Sequence, residues 1–378
     1  MLTPRKWPGD MQVECKIKFH IFVPQKNPTL FINDLLFYTG IFLIIATTIP
    51  LIRHDFWIFR VFEYPRLQKL TLNALVLGLT IWFFPTTTTE QVVSGLLLLN
   101  FIYLLYLVLP FTRFSHKQIV KSRHSAGKNN IKLLIANVYQ DNRQSDAYHK
   151  LISECDPDVI LMVETNHWWA EQMDPISKDY PHQLRAPLEN TYGMMLYSRL
   201  ELLGGSINYL VEADVPSIDV NVKLPSGQLV KLYCLHPQPP VPQENPRSTE
   251  RDKEILLIAK KAKGSKIPVL VAGDLNDVAW SYTTELFGKI SGLLDPRRGR
   301  GFFNSFHAKY FFLRFPLDHI FCSTDFTLTS IKRMQSCGSD HFPMCVDFQY
   351  DPRAEVIQEE PEVTKADAEL AEEKLSKV

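Results

Sequence analysis

Residues 268–276 read PVLVAGDLN and predict a buried strand that ends in polar side chains. A short apolar run bounded by turn residues is typical of a strand inside a sheet, and the glycine permits a tight turn. Because side chains alternate along extended backbone, Asp274 and Asn276 are expected on one face. A carboxylate beside an amide suits a phosphate site, since one accepts a proton and the other donates a hydrogen bond. An Asx turn is the purely structural alternative.

Five other segments place polar side chains at the end of an apolar run. They are IANVY with Asn137, VILMVET with Glu164, YCLHPQPP with His236, FPLDHIF with Asp318, and CGSDHFP with Asp340 and His341. Strand ends are where α/β folds build their sites. Each segment alone also has a structural explanation, such as a solvated glutamate at a strand end or a buried histidine with no part in catalysis.

Short apolar runs alternate with stretches of helical spacing over residues 131–350. Helices are predicted at 145–155 and 251–262. Strands are predicted at 131–136, 159–163, 194–197, 217–223, 229–235, 268–272, 319–323 and 344–348. Strands interleaved with helices indicate a layered α/β domain.

The order of these motifs resembles the endonuclease/exonuclease/phosphatase superfamily. GDLN at 273–276 and SDHFP at 339–343 are the most specific parts of a resemblance that runs from about residue 132 to residue 348. It implies a two-sheet α/β sandwich of the deoxyribonuclease type and a hydrolase that acts on phosphoester bonds. The segments YGMMLYSR, HPQPP and GRG look like a bacterial branch that carries membrane helices before the catalytic domain.

The resemblance also implies a metal site. Glu164 would be the main ligand of a divalent cation, with Asn137 beside it and Asp340 completing or supporting the metal side. Oxygen ligands favour a small, hard cation, so Mg²⁺ or Mn²⁺ is expected. No other cofactor is implied.

The remaining motif residues would be catalytic by the same resemblance. Asp274 would orient or deprotonate the attacking water, and Asn276 and His236 would bind the scissile phosphate. Asp318 would hold His341, which would act as acid or base or contact the phosphate.

The sequence departs from relatives at two places. Relatives with a histidine at the position of His236 often pair it with a carboxylate, and Glu189 is the candidate here. A tryptophan common between the GRG and PLDH motifs is replaced by the run Asn-Ser-Phe at 304–306, in the region that shapes the substrate pocket.

Three uncharged apolar stretches at 35–52, 70–85 and 92–111 precede this domain. A bilayer core about 30 Å thick needs about 20 apolar residues at about 1.5 Å each. The stretches predict about three transmembrane helices within 31–112, and a buried helical hairpin of a soluble protein is the alternative. Between the first two, aromatic and basic residues alternate at 54–64 and predict a helix along the bilayer surface.

Three further segments complete the predicted organisation. Residues 1–30 lack the features of a cleavable signal peptide, 113–130 form a basic linker, and 351–378 form an acidic, solvated tail that is partly helical or disordered. The six cysteines have no regular spacing, which argues against a zinc knuckle or a disulfide scaffold and favours single buried thiols.

Charge separates the candidate functions. Residues 132–350 contain 23 Lys and Arg against 26 Asp and Glu, whereas proteins that bind duplex backbones usually have a basic excess. A small or lipid-linked phosphoester is therefore favoured as substrate, with a nuclease and a catalytically silent membrane binding module as alternatives. Membrane lipids are expected partners, and the oligomeric state is left open.

The location predicted from the sequence is a membrane. Together with the bacterial resemblance, three spans make a multi-pass protein of the bacterial inner membrane. The excess of basic residues in the first loop and the linker places the catalytic domain in the cytoplasm. Unpaired cysteines in that domain agree with a reducing compartment.

Overall fold

The polar strand ends predicted from the sequence belong to strands that form two mixed sheets. The structure is a computed structural model and describes residues 28–83, 87–123 and 127–377. The strands are β1 (Asn130–Asn137), β2 (Val159–Val163), β3 (His182–Ala186), β4 (Met194–Ser198), β5 (Glu201–Asn208), β6 (Ser217–Lys223), β7 (Leu229–Leu235), β8 (Val269–Asp274), β9 (Asp318–Cys322), β10 (Phe326–Arg333) and β11 (Met344–Tyr350). Their orders are β10-β11-β1-β2-β4-β3 and β5-β6-β7-β8-β9.

Apolar side chains of both sheets meet in one core. Leu133 and Leu161 of the first sheet share a buried cluster with Leu232 and Leu270 of the second. Helices cover the outer faces, so the central strands are buried on both sides, which explains their continuous apolar runs. The predicted two-sheet α/β sandwich is confirmed.

Helices precede, connect and follow the strands. They are α1 (Pro28–Thr48), α2 (Trp57–Arg60), α3 (Arg66–Trp82), α4 (Thr88–Val108), α5 (Ser145–Cys155), α6 (His167–Gln172), α7 (Thr249–Lys263), α8 (Tyr282–Ser291) and α9 (Lys365–Ser376). Short 3₁₀ turns follow α1, α2, α4 and α6, and two more lie at 311–313 and 352–356.

Three of these helices, α1, α3 and α4, pack against one another before the catalytic domain. Two segments are long and apolar enough to cross a membrane, Phe31–Ile52 and Thr88–Phe111. The prediction of three spans is wrong, because α3 has 17 residues and reaches only about 26 Å at about 1.5 Å per residue. With two candidate spans, the charge comparison that placed the catalytic domain in the cytoplasm no longer applies.

The segment predicted to lie along a bilayer surface also packs against the catalytic domain. Arg60 and Glu63 are each only 2% exposed, and the Trp57 amide donates to the Pro246 carbonyl at 2.8 Å. Arg60 lies 3.5 Å from Asp277 of the catalytic domain. The basic side chains of this segment are therefore not all available to lipid headgroups, because some of their charge is paired inside the protein.

The predicted linker and tail are also packed in part. Ile119 is fully buried in the sandwich core, and Lys121 forms a bridge with Leu328 of β10. In α9, Lys374 is 2% exposed and its ammonium lies 2.8 Å from Asp55 and 2.7 Å from Asp252. Both ends of the catalytic domain are thus held to it by buried contacts. Residues 1–27 of the predicted N-terminal segment lie outside the described residues.

The cysteines differ from the prediction of isolated thiols. Cys155 and Cys345 form a disulfide between the end of α5 and β11, while Cys234, Cys322 and Cys337 are buried and free. Disulfides persist in oxidising compartments, so cysteine usage no longer favours the cytoplasm for this domain.

Candidate active site

The edge where β1, β2, β7 and β8 end collects the polar motif residues. Asn137 and Asp274 are the last residues of β1 and β8, and Asp318, the first residue of β9, pairs in register with Asp274. Glu164 and His236 directly follow β2 and β7. One edge of the sandwich therefore receives side chains from both sheets.

Gly273 allows this edge to form. Its φ is +148°, and a Cβ added there would lie 1.9 Å from the Leu235 carbonyl oxygen of β7. Only glycine lets β8 approach β7 so closely. That approach brings His236, the next residue after Leu235, beside Asp274.

Two motif residues adopt the left-handed region, which L side chains rarely populate. The φ angles are 58° at Glu164 and 49° at Asn276. Such a conformation costs roughly 1–3 kcal/mol and clusters at functional sites. At both positions the extended strand path stops and the polar residue begins the loop.

Glu164 lies within reach of both sheets. The Asn137 amide donates to Glu164 Oε1 at 2.6 Å and to Asp274 Oδ2 at 3.1 Å. The pKa of Glu164 is raised to about 7, mainly by burial; His341 and Asn137 act to lower it, and the charges of Asp340 and Asp274 act to raise it. A bound cation would reverse this, because an opposite charge stabilises the carboxylate.

The oxygen donors fit a divalent cation. Carboxylate and amide oxygens of Glu164, Asn137 and Asp340 are hard ligands of the kind that Mg²⁺ prefers. A second group, Asp274, Asp318 and His341, has ligand atoms within 4.8 Å of one another. In that group the histidine already pairs with both carboxylates, so Glu164 is the better candidate for the main ligand.

His341 is held between two carboxylates. Its Nδ1 lies 2.8 Å from Asp318 Oδ2 and its Nε2 lies 3.5 Å from Asp274 Oδ2. Burial disfavours the imidazolium, but Asp318 and Asp274 outweigh it and raise the pKa of His341 to about 10. Ser305 helps to position Asp318, because its hydroxyl oxygen accepts a hydrogen bond from the Asp318 backbone N–H at 3.0 Å.

Among the described residues, no carboxylate lies within ion-pair distance of His236. Burial lowers its pKa to about 4, and its buried Nδ1 has no hydrogen-bond partner among the described residues. Glu189, the candidate partner from the sequence, instead accepts hydrogen bonds from Asn166 and the His167 amide. The ring of Tyr192 packs against His236 with centroids 5.6 Å apart.

Asn276 is positioned by contacts that the sequence did not reveal. Its amide side chain donates to the Pro237 carbonyl at 2.9 Å, and its backbone N–H donates to Asp274 Oδ1 at 2.9 Å. Its carbonyl accepts from the Tyr64 hydroxyl at 2.8 Å and from Arg251 Nη1 at 2.7 Å. Tyr64 belongs to the aromatic-basic segment, whose composition pointed to a membrane surface rather than to this loop.

The structure thus brings the eight predicted site residues to one edge of the sandwich. Hydrogen bonds or ion pairs of 3.5 Å or less connect Glu164, Asn137, Asp274, Asp318 and His341. Asp340 acts on the pKa of His341 through its charge, and its carbonyl accepts the Ala308 amide at 2.6 Å. His236 and Asn276 lie beside Asp274.

Solved structures of several proteins are similar to this chain. Zebrafish (D. rerio) TDP2 complexed with single-strand DNA product is 18% identical, with 58% of this chain and 99% of that chain covered and a TM-score of 0.49. The human Nocturnin catalytic domain with bound sulfate is 15% identical, with 63% and 98% covered and a TM-score of 0.48. An endonuclease/exonuclease/phosphatase from Beutenbergia cavernae is 14% identical, with 59% and 72% covered and a TM-score of 0.48.

The family follows from the sequence match. No curated protein sequence matches the chain. The endonuclease/exonuclease/phosphatase family matches residues 130–341, more than half of the chain and nearly the range expected from the motifs. The protein belongs to the endonuclease/exonuclease/phosphatase family, whose members are divalent-metal-dependent enzymes that hydrolyse phosphoesters.

Proposed function

We propose that the protein is a membrane-anchored, metal-dependent phosphoesterase that hydrolyses a lipid-linked or other small phosphoester. The observation that carries the proposal is His341, held at 2.8 Å by Asp318 and at 3.5 Å by Asp274, beside the half-buried Glu164. In phosphoester hydrolysis, a protonated imidazole can donate a proton to the leaving group, and a cation bound beside it can stabilise the negative charge on the phosphoryl oxygens.

Glu164 and Asp340, with Asn137, would hold the cation, for which we propose Mg²⁺, with Mn²⁺ as a substitute. When bound, the cation would neutralise charge on the phosphoryl oxygens. Asp274 would orient the attacking water and accept its proton. Burial raises the pKa of Asp274 above its usual range, which makes its carboxylate a stronger base.

Three of the remaining four residues would act on the phosphate, and the fourth, Asp318, would orient one of them. His341, which its high pKa keeps protonated, would donate to a phosphate or leaving-group oxygen, and Asp318 would keep the ring in place. Asn276 and the neutral His236 would contact the scissile phosphate as hydrogen-bond donors.

The outer faces of α1 and α4 support membrane attachment. Of the apolar stretches Phe31–Ile52 and Thr88–Phe111, only 28% and 22% are buried within the protein. Phe42 and Leu99, for example, are more than half exposed. A helix that is apolar all round is found in a protein core or in a bilayer, and these two face away from the core. We therefore infer that lipid covers them.

An exposed aromatic loop, Tyr310–Leu313, connects the membrane helices with the site. Phe311 is 77% exposed and Phe312 is 56% exposed. The Phe312 carbonyl accepts the Gln68 side chain of the first turn of α3 at 2.8 Å, while Phe306 of the preceding segment packs on His341 with centroids 5.0 Å apart. A bilayer around α1 and α4 would meet these rings beside the site, which favours a substrate borne by the same bilayer.

Nucleic acid is the second candidate substrate, because the family includes nucleases. A specific argument against it is the balance of 23 basic and 26 acidic residues over 132–350, which gives no basic surplus for a phosphate backbone. A catalytically silent binding module remains a weaker alternative, since the eight motif residues expected for hydrolysis are all in place.

The proposal is tested on membranes that contain the full chain. We expect the protein to stay with the membrane at high salt, since buried apolar helices are not released by screening charge. Those membranes should hydrolyse a phospholipid phosphoester in vesicles in the presence of Mg²⁺, and an excess of chelator should stop the reaction. Preferential hydrolysis of single-stranded or duplex DNA would favour the nuclease, and activity that survives the chelator would contradict the proposal.

The aromatic loop provides a sharper test of the substrate. Replacing Phe311 and Phe312 with serine should lower hydrolysis of the vesicle-borne ester roughly tenfold or more, since each buried phenyl ring contributes about 1.5–3 kcal/mol. Hydrolysis of a soluble phosphoester should change little. The matched control is Val356→Ser, which removes an 86% exposed apolar side chain elsewhere on the surface. An equal loss on both substrates would mean that the loop shapes the site rather than contacts lipid.

A further inference from the structure

A polar cavity lies where α1, α3 and α4 meet the catalytic domain. Its volume is about 120 Å³, which is room for a group larger than a single water. Its charged lining consists of Arg53, Arg66, Lys69, Glu63 and Glu285. Three basic side chains thus line one cavity, and none of them belongs to a catalytic motif.

The two carboxylates already have basic partners outside the cavity lining. Glu63 lies 3.4 Å from Arg60, and Glu285 lies 3.6 Å from Arg298. Neither carboxylate lies within ion-pair distance of Arg66. The negative charge in the cavity wall is therefore largely committed elsewhere.

Arg66 has no charged or hydrogen-bonded partner within the part of the chain that the structure describes. It is 8% exposed, and its guanidinium makes no hydrogen bond or ion pair with any residue in 28–83, 87–123 or 127–377. Lys69, by contrast, donates to the carbonyls of Ala46 and Phe62 at 3.0 and 2.7 Å. The Arg66 nitrogens are not among the fully buried polar atoms without a partner, so the guanidinium faces the cavity itself. An anion in the cavity could pair with it at partly desolvated range, where such pairs are stronger than in water.

Tyr282 adds a second unsatisfied donor. Its buried hydroxyl lies near the Lys374 ammonium, which can only donate, and the O–H has no acceptor among the described residues; Tyr282 lines the same cavity. An arginine fork can pair with two oxygens of a tetrahedral phosphate group, and a hydroxyl donor in the same cavity can reach a third oxygen. A carboxylate could pair with the Arg66 guanidinium equally well. The cavity, however, lies at the start of α3 beside the proposed membrane helices α1 and α4, where lipid phosphate groups are the most abundant anions.

We propose that this cavity is a binding site for a phosphate group, held by Arg66 with Lys69, Arg53 and the Tyr282 hydroxyl. The group belongs either to the headgroup of an anionic phospholipid or to free phosphate. This site is distinct from the catalytic edge, and only the lipid form of the proposal rests on the proposed membrane attachment. Occupancy would join the helices to the catalytic domain and stabilise the folded chain.

The test measures thermal unfolding of the full chain rather than hydrolysis, so its failure is separate from failure of the proposed function. One arm uses lipid nanodiscs of phosphatidylcholine with and without phosphatidylglycerol. The other uses detergent micelles titrated with inorganic phosphate. We expect the unfolding temperature to rise with phosphatidylglycerol, with phosphate or with both, and the arm that responds identifies the source of the phosphate group.

Arg66→Gln should weaken the apparent affinity for the responding anion on the order of tenfold, since hydrogen bonds to charged groups are the stronger ones. The matched control is Arg113→Gln, which removes the same charge from an exposed position just after α4. If Arg66→Gln does not fold, Arg53→Gln at the exposed rim of the cavity should also weaken binding. No stabilisation by either anion, or an equal loss in Arg113→Gln, would overturn the proposal.

Discussion

Replacing Glu164 with glutamine is expected to lower the affinity of the enzyme for Mg²⁺ by about 100-fold or more. Loss of a residue that only hydrogen-bonds to a metal ligand already costs about 10- to 100-fold, and Glu164 would bind the cation directly. The amide keeps the shape of the side chain and its contact with Asn137, 2.6 Å away, but removes the charge that holds a hard cation. Turnover at saturating Mg²⁺ should fall less than the affinity does. Calorimetric titration with Mg²⁺ measures the first quantity directly.

The same titration has a predicted pH dependence. Burial raises the pKa of Glu164 to about 7 without a cation, so protons compete with Mg²⁺ as the pH falls through about 7. The apparent affinity should therefore weaken below neutrality in the parent and lose most of that dependence in Glu164→Gln. Glu171→Gln, an exposed position on α6, is the control. Unchanged affinity in Glu164→Gln would move the metal site to Asp274 and Asp318.

Replacing His341 with alanine should reduce turnover by about 100- to 10,000-fold while Mg²⁺ affinity is kept, because its proposed role is proton transfer or phosphate contact. Asp318→Asn should fall between this variant and the parent, since it disturbs the ring at a 2.8 Å contact without removing it. Turnover on the best substrate at saturating Mg²⁺ is the measurement. His167→Ala, an exposed histidine on α6, is the control.

The proposed role of His341 also predicts how activity changes with pH. Asp318 and Asp274 raise the pKa of His341 to about 10 against the effect of burial, so the imidazolium persists at neutral pH and is lost as the pH rises toward 10. Activity should decline on that alkaline side, and Asp318→Asn should move the decline to lower pH. Should Asp318→Asn and His341→Ala both stay within about twofold of the parent, the dyad is wrong and the site works through His236 and Asp274.

Strands that are completely buried could be predicted from the sequence. β2 (Val159–Val163) and the first four residues of β8 (Val269–Asp274) are apolar, so β2 could be placed from the sequence without error and β8 within two residues. β3 (His182–Ala186) and β5 (Glu201–Asn208) were missed, because most of their residues are partly exposed and β5 is interrupted by two glycines at a register shift. Strand edges of this kind lack the apolar run that marks a central strand.

Charged segments were harder to interpret, because composition does not say which partner a charge will find. Arg60 looked like a headgroup contact, but its partner Asp277 lies 217 residues further along the chain. Lys374 looked solvated within an acidic tail, but it pairs with Asp55, 319 residues away. Periodicity reports burial against local neighbours, and pairings over such separations are decided by the folded topology alone.

The motif residues were found because the order of strand ends along the chain is itself a pattern. GDLN and SDHFP identify Asp274, Asn276 and His341 directly. The residues that position them, such as Tyr64 behind Asn276, carry no motif and lie outside the matched range of 130–341. No signal in a single sequence would have joined Tyr64 to the catalytic loop.

The packed connections between the helices and the catalytic domain have a geometric consequence. The chain enters or leaves the helices at residues 49–65 and 109–121, and both stretches contact the catalytic domain, through Arg60 and Ile119 for example, rather than hanging as free tethers. Because these connections are packed, the catalytic domain cannot move toward or away from the helices. If the protein is attached as proposed, its catalytic edge lies at one fixed height above the bilayer. The distance of a phosphoester from the bilayer then selects substrates before the chemistry does. An ester on a long headgroup would lie above the site, and an ester close to the acyl chains would lie below it.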